Sequence, residues 1–513
     1  MAQPKITIEM PKGLTPAELK EKLKDQRWRL DNLYYVVNKE GKRVPFRMNW
    51  AQLELYENLH YLNLVLKARQ LGITTFMCIL ELDNAIFTPN TRCGLIAHTR
   101  DDAKVIFRDK IQFPFNELPD AIRHACAPRT DSANELLFKN NSGLRVGTSM
   151  RSGTLNFLHI SEYGKICAKY PDKAMEIKTG ALNTVQSGQF ITIESTAEGR
   201  SGHFYDLCEE ALNHEKEGLP LTPLTWKIFF FPWYKEPAYE LPNDQTAMVT
   251  ITRDDRQYFE ELEAKTGYRC TPGQMAWYVL KKKQQGDEML REYPSTPEEA
   301  FMASVEGAYF VNEMNDIRRD RRITKVPWVP SVPVNTYWDL GFNDKTTITF
   351  VQQVGVEIRI IDYYENSGES LAHYVRVLRE KPYIYGRHKL PHDADHHSLD
   401  TGKTRRDSLY EMGLKPLDVV PRIDREMDGI EASRRILPQV WIDKENCDRL
   451  ITCLDHYRKE WDDKMGTWKD KARHDEFSDG YKSFETFAVD FRPGGHQRGG
   501  TSRKRKSRNW RTV

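Results

Sequence analysis

Between residues 62 and 231, short apolar runs alternate with helical stretches, and nothing else in the chain constrains its fold as strongly. The runs are Leu62–Leu66, Cys93–Ala97, Leu136–Phe138, Leu144–Gly147, Phe157–Ile160, Phe190–Glu194 and Trp226–Phe231. Runs of this length, bounded by polar segments and separated by helices, predict an α/β layer on a mostly parallel sheet. With 513 residues the chain exceeds one ordinary core, so two domains and a smaller element are expected. Residues 233–320 become charged and helical. The segment 326–335, with Pro327, Pro330 and Pro333, then reads as a semi-rigid linker. Beyond it, Thr336–Leu340, Thr346–Gln352 and Glu357–Tyr363 read as an antiparallel meander before a helix near Leu371–Glu380.

No apolar run reaches the ~18 residues that a membrane span needs. The start, MAQPKITIEMPKG, lacks a basic-then-apolar signal pattern, so the chain is expected to stay in the cytoplasm where it is made. Eight scattered cysteines without CxxC pairs read as reduced, packed thiols. Formal net charge is only +2, but its distribution is uneven: no acid follows Asp490, and the end reads RPGGHQRGGTSRKRKSRNWRTV. Such a segment buries too little apolar surface to offset its ordering entropy, so 491–513 is expected to be a disordered basic tail suited to a polyanion. Residues 1–46 are polar, with a helix expected over Thr15–Asp31 and no assigned role.

The segment LNLVLKARQLGITT (62–75) is an apolar strand running through Lys67, Arg69, Gln70 and Gly72 into a helix that opens with Thr74 and Thr75. A strand–loop–helix of this kind aims backbone N–H groups at phosphate. Against the GxxxxGK[ST] pattern (Walker A), Gly72 and Thr74 fit, Ile73 takes the lysine position, and the first glycine is absent. Gln52 stands where an adenine-reading amide would sit. LNFLHISEYG (155–164) is a strand ending in Ser161 and Glu162, a carboxylate able to polarise an attacking water. FITIESTAEG (190–199) is a strand ending in small polar residues suited to sensing the nucleotide state.

Paired-metal phosphodiester cleavage needs carboxylates from separate elements. Asp339 ends a strand in NTYWDLGFNDKTTITF (335–350), with Asp344 in the next turn. KLPHDADHHS (389–398) offers His392, Asp393 and Asp395, the two aspartates competing as strand neighbours that point the same way. KARHDEFSDGYKSFETFAV (471–489) reads as a helix with Asp475 and Asp479 on one face, beside His474. Asp339, Asp393 and Asp479 are the first choices as ligands and Asp475 the next. An empty cluster of this kind is expected to bind magnesium or manganese, with one carboxylate holding its proton until it does.

Together these motifs resemble the large terminase subunits of tailed double-stranded DNA bacteriophages, and the resemblance runs through the whole chain. It implies a P-loop (ASCE-type) ATPase core over 47–232, a helical lid or linker region over 233–325, and a ribonuclease H-like nuclease over 336–490. It implies Lys67 or Arg69 as the phosphate cation, Thr74 as the magnesium hydroxyl and Glu162 as the catalytic carboxylate. Arg151, in MRSGT, would reach a neighbouring subunit, and Ser195-Thr196-Ala197 would be the coupling motif. Ser161 replaces the usual aspartate, so magnesium would be held there through water. The cofactors implied are ATP with Mg2+, and two Mg2+ or Mn2+ for the nuclease. Implied partners are concatemeric duplex DNA, a small terminase subunit and the portal of the procapsid, on which a ring of five copies would form. A helicase-like repair ATPase with a fused nuclease would need helicase motifs and a second motor lobe, and neither is found. A non-catalytic DNA-binding scaffold remains the other rival, because of Ile73 and Ser161.

Overall fold

The computed structural model describes residues 16–151, 153–301, 307–341, 345–396, 403–462, 465 and 467–491. The basic tail after Phe491, Asp344 and the first fifteen residues, for which expectations were given, lie outside the described residues. The chain divides into two compact units, Met1–Glu306 and Gly307–Val513. All eight cysteines are unbridged. Among the described residues no helix is long and apolar enough to cross a membrane.

The first unit carries a hairpin of β1 (Tyr35–Val37) and β2 (Arg43–Pro45). Its main sheet contains β3 (Leu62–Lys67), β4 (Arg92–Ile96), β5 (Pro128–Asp131), β6 (Glu135–Phe138), β7 (Gly143–Gly147), β8 (Leu155–Ser161), β9 (Val185–Ser195) and β10 (Trp226–Phe231). The spatial order is β10-β3-β9-β8-β4-β7-β6-β5. The six strands from β10 to β7 are parallel, and β6 and β5 extend the edge antiparallel. Each expected run falls on a strand of this sheet to within a residue, and β5, whose Pro-Arg-Thr-Asp carries no apolar run, escapes the sequence reading, as do β1 and β2.

Both faces of this sheet are covered. In β3, Leu64, Val65 and Leu66 are all fully buried: Val65 belongs to one core cluster with Phe76 and Leu82 of the helix Ile73–Phe87, while Leu64 and Leu66 belong to another with Phe204 and Leu207 of the helix His203–Lys216. Two-sided burial is why β3 reads as a continuous apolar run and not an alternating one.

The helix expected over Thr15–Asp31 is two helices, Pro16–Lys22 and Gln26–Asn32. It breaks because Asp25 caps the second one, accepting a hydrogen bond from Trp28 N at 3.2 Å. The capped helix directs Arg29 onto Asp83 at 2.6 Å, inside the first unit, and Tyr34 Oη donates to the same carboxylate at 2.9 Å. Asp83 lies on the helix Ile73–Phe87, so the N-terminal segment is tied to that helix by a buried ion pair.

In the second unit the sheet order is β11-β17-β14-β13-β12-β15-β16. Here β11 is Ile323–Thr324, β12 Val334–Asp339, β13 Thr346–Val354, β14 Glu357–Asn366, β15 Tyr385–Leu390, β16 Leu417–Val419 and β17 Val440–Asp443. The antiparallel meander β12-β13-β14 forms as expected, and the helix Leu371–Glu380 follows it. Strands β15, β16, β17 and β11 then join in parallel. A hairpin of β18 (Lys459–Asp462) and β19 (Thr467–Ala472) precedes the helix Glu476–Asp490, so Lys471 and Ala472 belong to a strand and not to the long helix expected there. Residues 307–325 fall in the second unit, and the proline-bearing segment packs within that unit: Val326 and Val334 are buried in its core.

Replacing Arg29 with Ala would leave Asp83 buried without its cation. We expect the full chain to lose about 3–5 kcal/mol in the first unit's unfolding transition. Denaturant unfolding checks this, and a loss near zero would mean that the pair does not fasten the helix.

Candidate nucleotide site and carboxylate cluster

Strand β3 ends at Lys67, and the chain must then turn into the helix Ile73–Phe87. Gly72 makes the turn at φ +72°, and a Cβ there would lie 2.7 Å from Gln52 Nε2, so both conformation and space demand glycine. Gln70 also takes a positive φ and is exposed. The loop is held from outside. Asn49 Nδ2 donates to Leu71 O at 2.9 Å and Gln52 Nε2 to Gly72 O at 2.8 Å. Arg69 N donates to Glu292 O at 2.9 Å, and Tyr239 Oη to Arg69 O at 2.5 Å. Gln52, expected to read adenine, is thus buried with its amide on the loop backbone.

At the carboxyl ends of the parallel strands the charges converge. Lys67 Nζ stands 3.4 Å from Glu162 Oε1 and 3.4 Å from Glu194 Oε2. Glu194, fully buried near the end of β9, also accepts from Ser161 Oγ at 3.2 Å, from Thr74 Oγ1, and faces His159 Nε2 at 3.2 Å. Burial pushes the Glu194 carboxyl up, but Lys67, His159 and Thr74 outweigh it and hold the group well below the usual carboxylate range. Burial likewise opposes the charge on Lys67, and Glu162 and Glu194 overcome it, raising the ammonium above its ordinary value. Glu162 is lowered in the same way, burial being offset by Lys67 and then Lys165. Arg69, the other candidate cation, is instead paired with Glu292 at 2.7 Å. Thr75 lies half-buried in the first turn of the helix.

Ser195 Oγ accepts from Gly164 N at 3.0 Å, and a Cβ on Gly164 would come within 2.8 Å of that oxygen. The segment Ser195-Thr196-Ala197 is therefore buried against the turn that carries Glu162. Arg151 is largely exposed and pairs with Glu176 at 2.6 Å in the same unit.

The second unit gathers Asp339, Asp393 and Asp479. Removal from water at the end of β12 pushes the Asp339 carboxyl up to about 7, and Asp393, Glu485 and Asp479 add to the push against the opposing Lys482. Asp393 does not lie on a strand: residues His392–Asp395 form a single 3-10 turn after β15, with His392 and Asp395 exposed. The turn separates the two aspartates' partners. Arg405 Nη1 stands 3.4 Å from Asp393 Oδ2 and donates to Leu340 O at 2.7 Å, while Arg406 pairs with Asp395 at 3.3 Å. Asp479 lies in the first turn of the helix Glu476–Asp490, with His474 Nδ1 at 3.7 Å. Asp475 is not on the helix face. It is the N-cap, accepting from Phe477 N at 3.0 Å and Ser478 N at 3.2 Å, with Arg473 at 3.3 Å. Beside Asp393 and Leu340 opens a cavity of ≈ 450 Å³, lined also by Lys403, Arg405 and Tyr374.

The donor chemistry here, hard carboxylate oxygens repelling one another, suits a divalent cation. Yet among the described residues no three His, Cys, Asp or Glu groups stand close enough to hold one ion.

Glu194, Glu292 and Arg405 escaped the sequence reading. Glu194 had a signal: a lone acid inside the apolar run ITIES must find a cation, since buried glutamates are rarely unpaired. Glu292 had none, because its partner Arg69 lies far away in sequence, and Arg405 had none, because only the turn after β15 brings Asp393 to it.

No family model matches the chain, and no curated protein matches it. Solved structures do. The chain is similar to the HK97 bacteriophage large terminase, at 13% identity over 87% of this chain and 95% of that one, with a TM-score of 0.39. It is similar to the large terminase of a thermophilic bacteriophage in complex with ATP-gamma-S, at 12% identity over 86% and 98%, with a TM-score of 0.31. It is similar to the P22 large terminase nuclease domain, at 13% identity over 33% and 87%, with a TM-score of 0.26. All three are large terminases or a domain of one. At these identities and scores nothing about this chain's chemistry follows from theirs.

The raised Asp339 carboxyl gives a direct expectation. A proton competes with any cation below about pH 7, so Mn2+ affinity should rise with pH through that region and level off above it. The Asp339→Asn chain should bind more weakly and lose that dependence. Calorimetric titration at several pH values checks it, and a pH-independent wild-type affinity would contradict the cluster.

Proposed function

We propose that this chain is the large terminase subunit of a tailed double-stranded DNA bacteriophage. It would be an ATPase that drives duplex DNA into a preformed shell, joined to a metal-dependent endonuclease that cuts concatemeric DNA. One observation carries the motor reading: Lys67, Thr74, Glu162 and Glu194 meet at the carboxyl ends of neighbouring parallel strands, at the N-terminus of a fifteen-residue helix. There a polyphosphate would meet backbone N–H groups and an ammonium, with a carboxylate beside it to polarise water.

Lys67 is the phosphate cation in this reading, because Arg69 is engaged with Glu292. Thr74 and Glu194 would hold magnesium, which when bound neutralises charge on the phosphate oxygens. Glu162 orients the attacking water, and Ser195-Thr196-Ala197 passes movement of that turn to β9. Arg151 would leave Glu176 to serve a neighbouring copy. Gln52 shapes the loop that receives the phosphates, alongside Gln70, Gly72 and Thr75.

In the second unit Asp339, Asp393 and Asp479 would hold two Mg2+ or Mn2+ ions, which when bound supply a Lewis acid for phosphodiester hydrolysis. Asp475 fixes the helix that carries Asp479. A duplex gripped through its phosphates is read with little sequence preference, so site choice would fall to a small terminase partner. The portal would be the docking site of a five-membered ring in the host cytoplasm. A second reading, a motor whose second unit binds DNA without cutting it, is favoured by the lack of a ready three-donor group among the described residues.

The Glu162→Gln chain should lose at least about 100-fold in ATP turnover while still binding ATP. Separately, Asp339→Ala should abolish manganese-dependent plasmid cleavage and leave turnover intact. Unchanged turnover in the first variant would remove the ATPase reading. Plasmid left whole by the wild-type chain would favour the second reading.

A further inference from the structure

Beyond the last paired residues of β3 and β9, Leu66 and Ser195, the two segments are tied by charge. Arg69, in the loop after β3, is clamped by Glu292: its N–H donates to Glu292 O at 2.9 Å and its Nη1 to Glu292 Oε2 at 2.7 Å. The other oxygen of that carboxylate, Oε1, stands 3.4 Å from Arg291 Nε. Arg291 Nη1 in turn donates to Glu198 Oε2 at 3.2 Å, and its Nη2 pairs with Glu288. Glu198 directly follows Ser195-Thr196-Ala197. Alternating charges, in the order Glu198, Arg291, Glu292 and Arg69, therefore run from the segment after β9 to the loop after β3 through the short helix Met289–Glu292.

Three of these four residues are buried: Glu292 is 2 % exposed, Glu198 6 % and Arg291 8 %. Ions so far from water are stable while each keeps its partner, and disturbing one shifts the rest. Arg69 is the half-exposed end. The same helix is braced on another side, where Tyr293, next to Glu292, packs edge-on against Tyr239, whose Oη donates to Arg69 O at 2.5 Å. We propose that Arg291 is a positioning residue for the loop after β3: through Glu292 it fixes Arg69, and through Glu198 it ties the loop to the segment after β9. The consequence for turnover rests on the ATPase reading, in which that loop receives the triphosphate of a nucleotide and Ser195-Thr196-Ala197 moves with hydrolysis. A network of packed ion pairs gives its two ends one shared state, a physical route for coupling. Lys67, on β3 itself, stays in place when the network is broken, so the loss falls on turnover and not on nucleotide affinity.

Arg291→Met would strand three acids, so the test discharges the two ends in the full chain, with Glu198→Gln, Arg69→Met and both together. Without nucleotide, amide hydrogen exchange over residues 67–72 should speed up about tenfold in Glu198→Gln, while the helix Ile73–Phe87 keeps its protection. Unchanged exchange in that loop, or acceleration spread over the whole first unit, would overturn the proposal. In ATP turnover, each single variant should lose about tenfold in kcat with KM within about twofold of wild type. The double variant should lose no more than the worse single one, because both cut the same network. Losses that multiply would overturn the proposal, as would a KM that rises while kcat holds. The exchange measurement needs no catalysis. A wild-type chain that hydrolyses no ATP would sink the ATPase reading, and the exchange result would still decide the role of Arg291.

Discussion

The first unit turns on one buried ammonium shared by two carboxylates. Lys67 sits at the end of β3 with Glu162 and Glu194 both at 3.4 Å, and the latter is fully removed from water. Charges buried to this degree are stable only when paired, and removing one partner strands the others at a cost of about 3–5 kcal/mol. Here the pairing is incomplete, since two acids share one lysine, with Lys165 assisting Glu162 and His159 facing Glu194. The surplus negative charge at the strand ends suits a metal-bearing polyphosphate. In the proposed motor, phosphates would compete for Lys67, and the cation travelling with them would compensate Glu194.

The two acid clusters are tuned in opposite directions. In the first unit, burial is outweighed by lysines, and Glu162 and Glu194 stay ionised below their ordinary range. In the second, burial and neighbouring carboxylates act together, and Asp339 is raised to about 7. Environments that push like groups apart assign them different work. In the proposed function an ionised acid of the first unit would orient and polarise water, whereas Asp339 would hold a proton until a cation arrived. In that cluster Arg405 bridges Leu340 O and Asp393.

Much of the fold was legible because burial leaves a clear trace in sequence. Strands covered on both faces read as apolar runs, and the meander β12-β13-β14 with its following helix emerged with nearly the observed limits. The misses have local causes. Asp25 capping split one helix, the 3-10 turn at Asp393 looked like a strand end, and Asp475 became a cap instead of a helical residue. For the candidate site, the position of Lys67 and Glu162 at strand ends was readable from pattern. The pairing of Arg69 was not, because it depends on Glu292, more than two hundred positions away. Nor was the engagement of Gln52 with Gly72 O, which only the folded loop reveals.

In the proposed motor, Lys67 is the cation this chain offers to phosphate. The most direct measurement is the affinity of a fluorescent ATP analogue for the full chain carrying Lys67→Met or Arg69→Met, each confirmed as folded by its melting profile. Binding should fall by about a hundredfold or more in the Lys67 variant, the worth of a charge-assisted contact in a low-dielectric site, while the Arg69 variant stays close to wild type. Binding that survives the loss of Lys67 and disappears with Arg69 would contradict it.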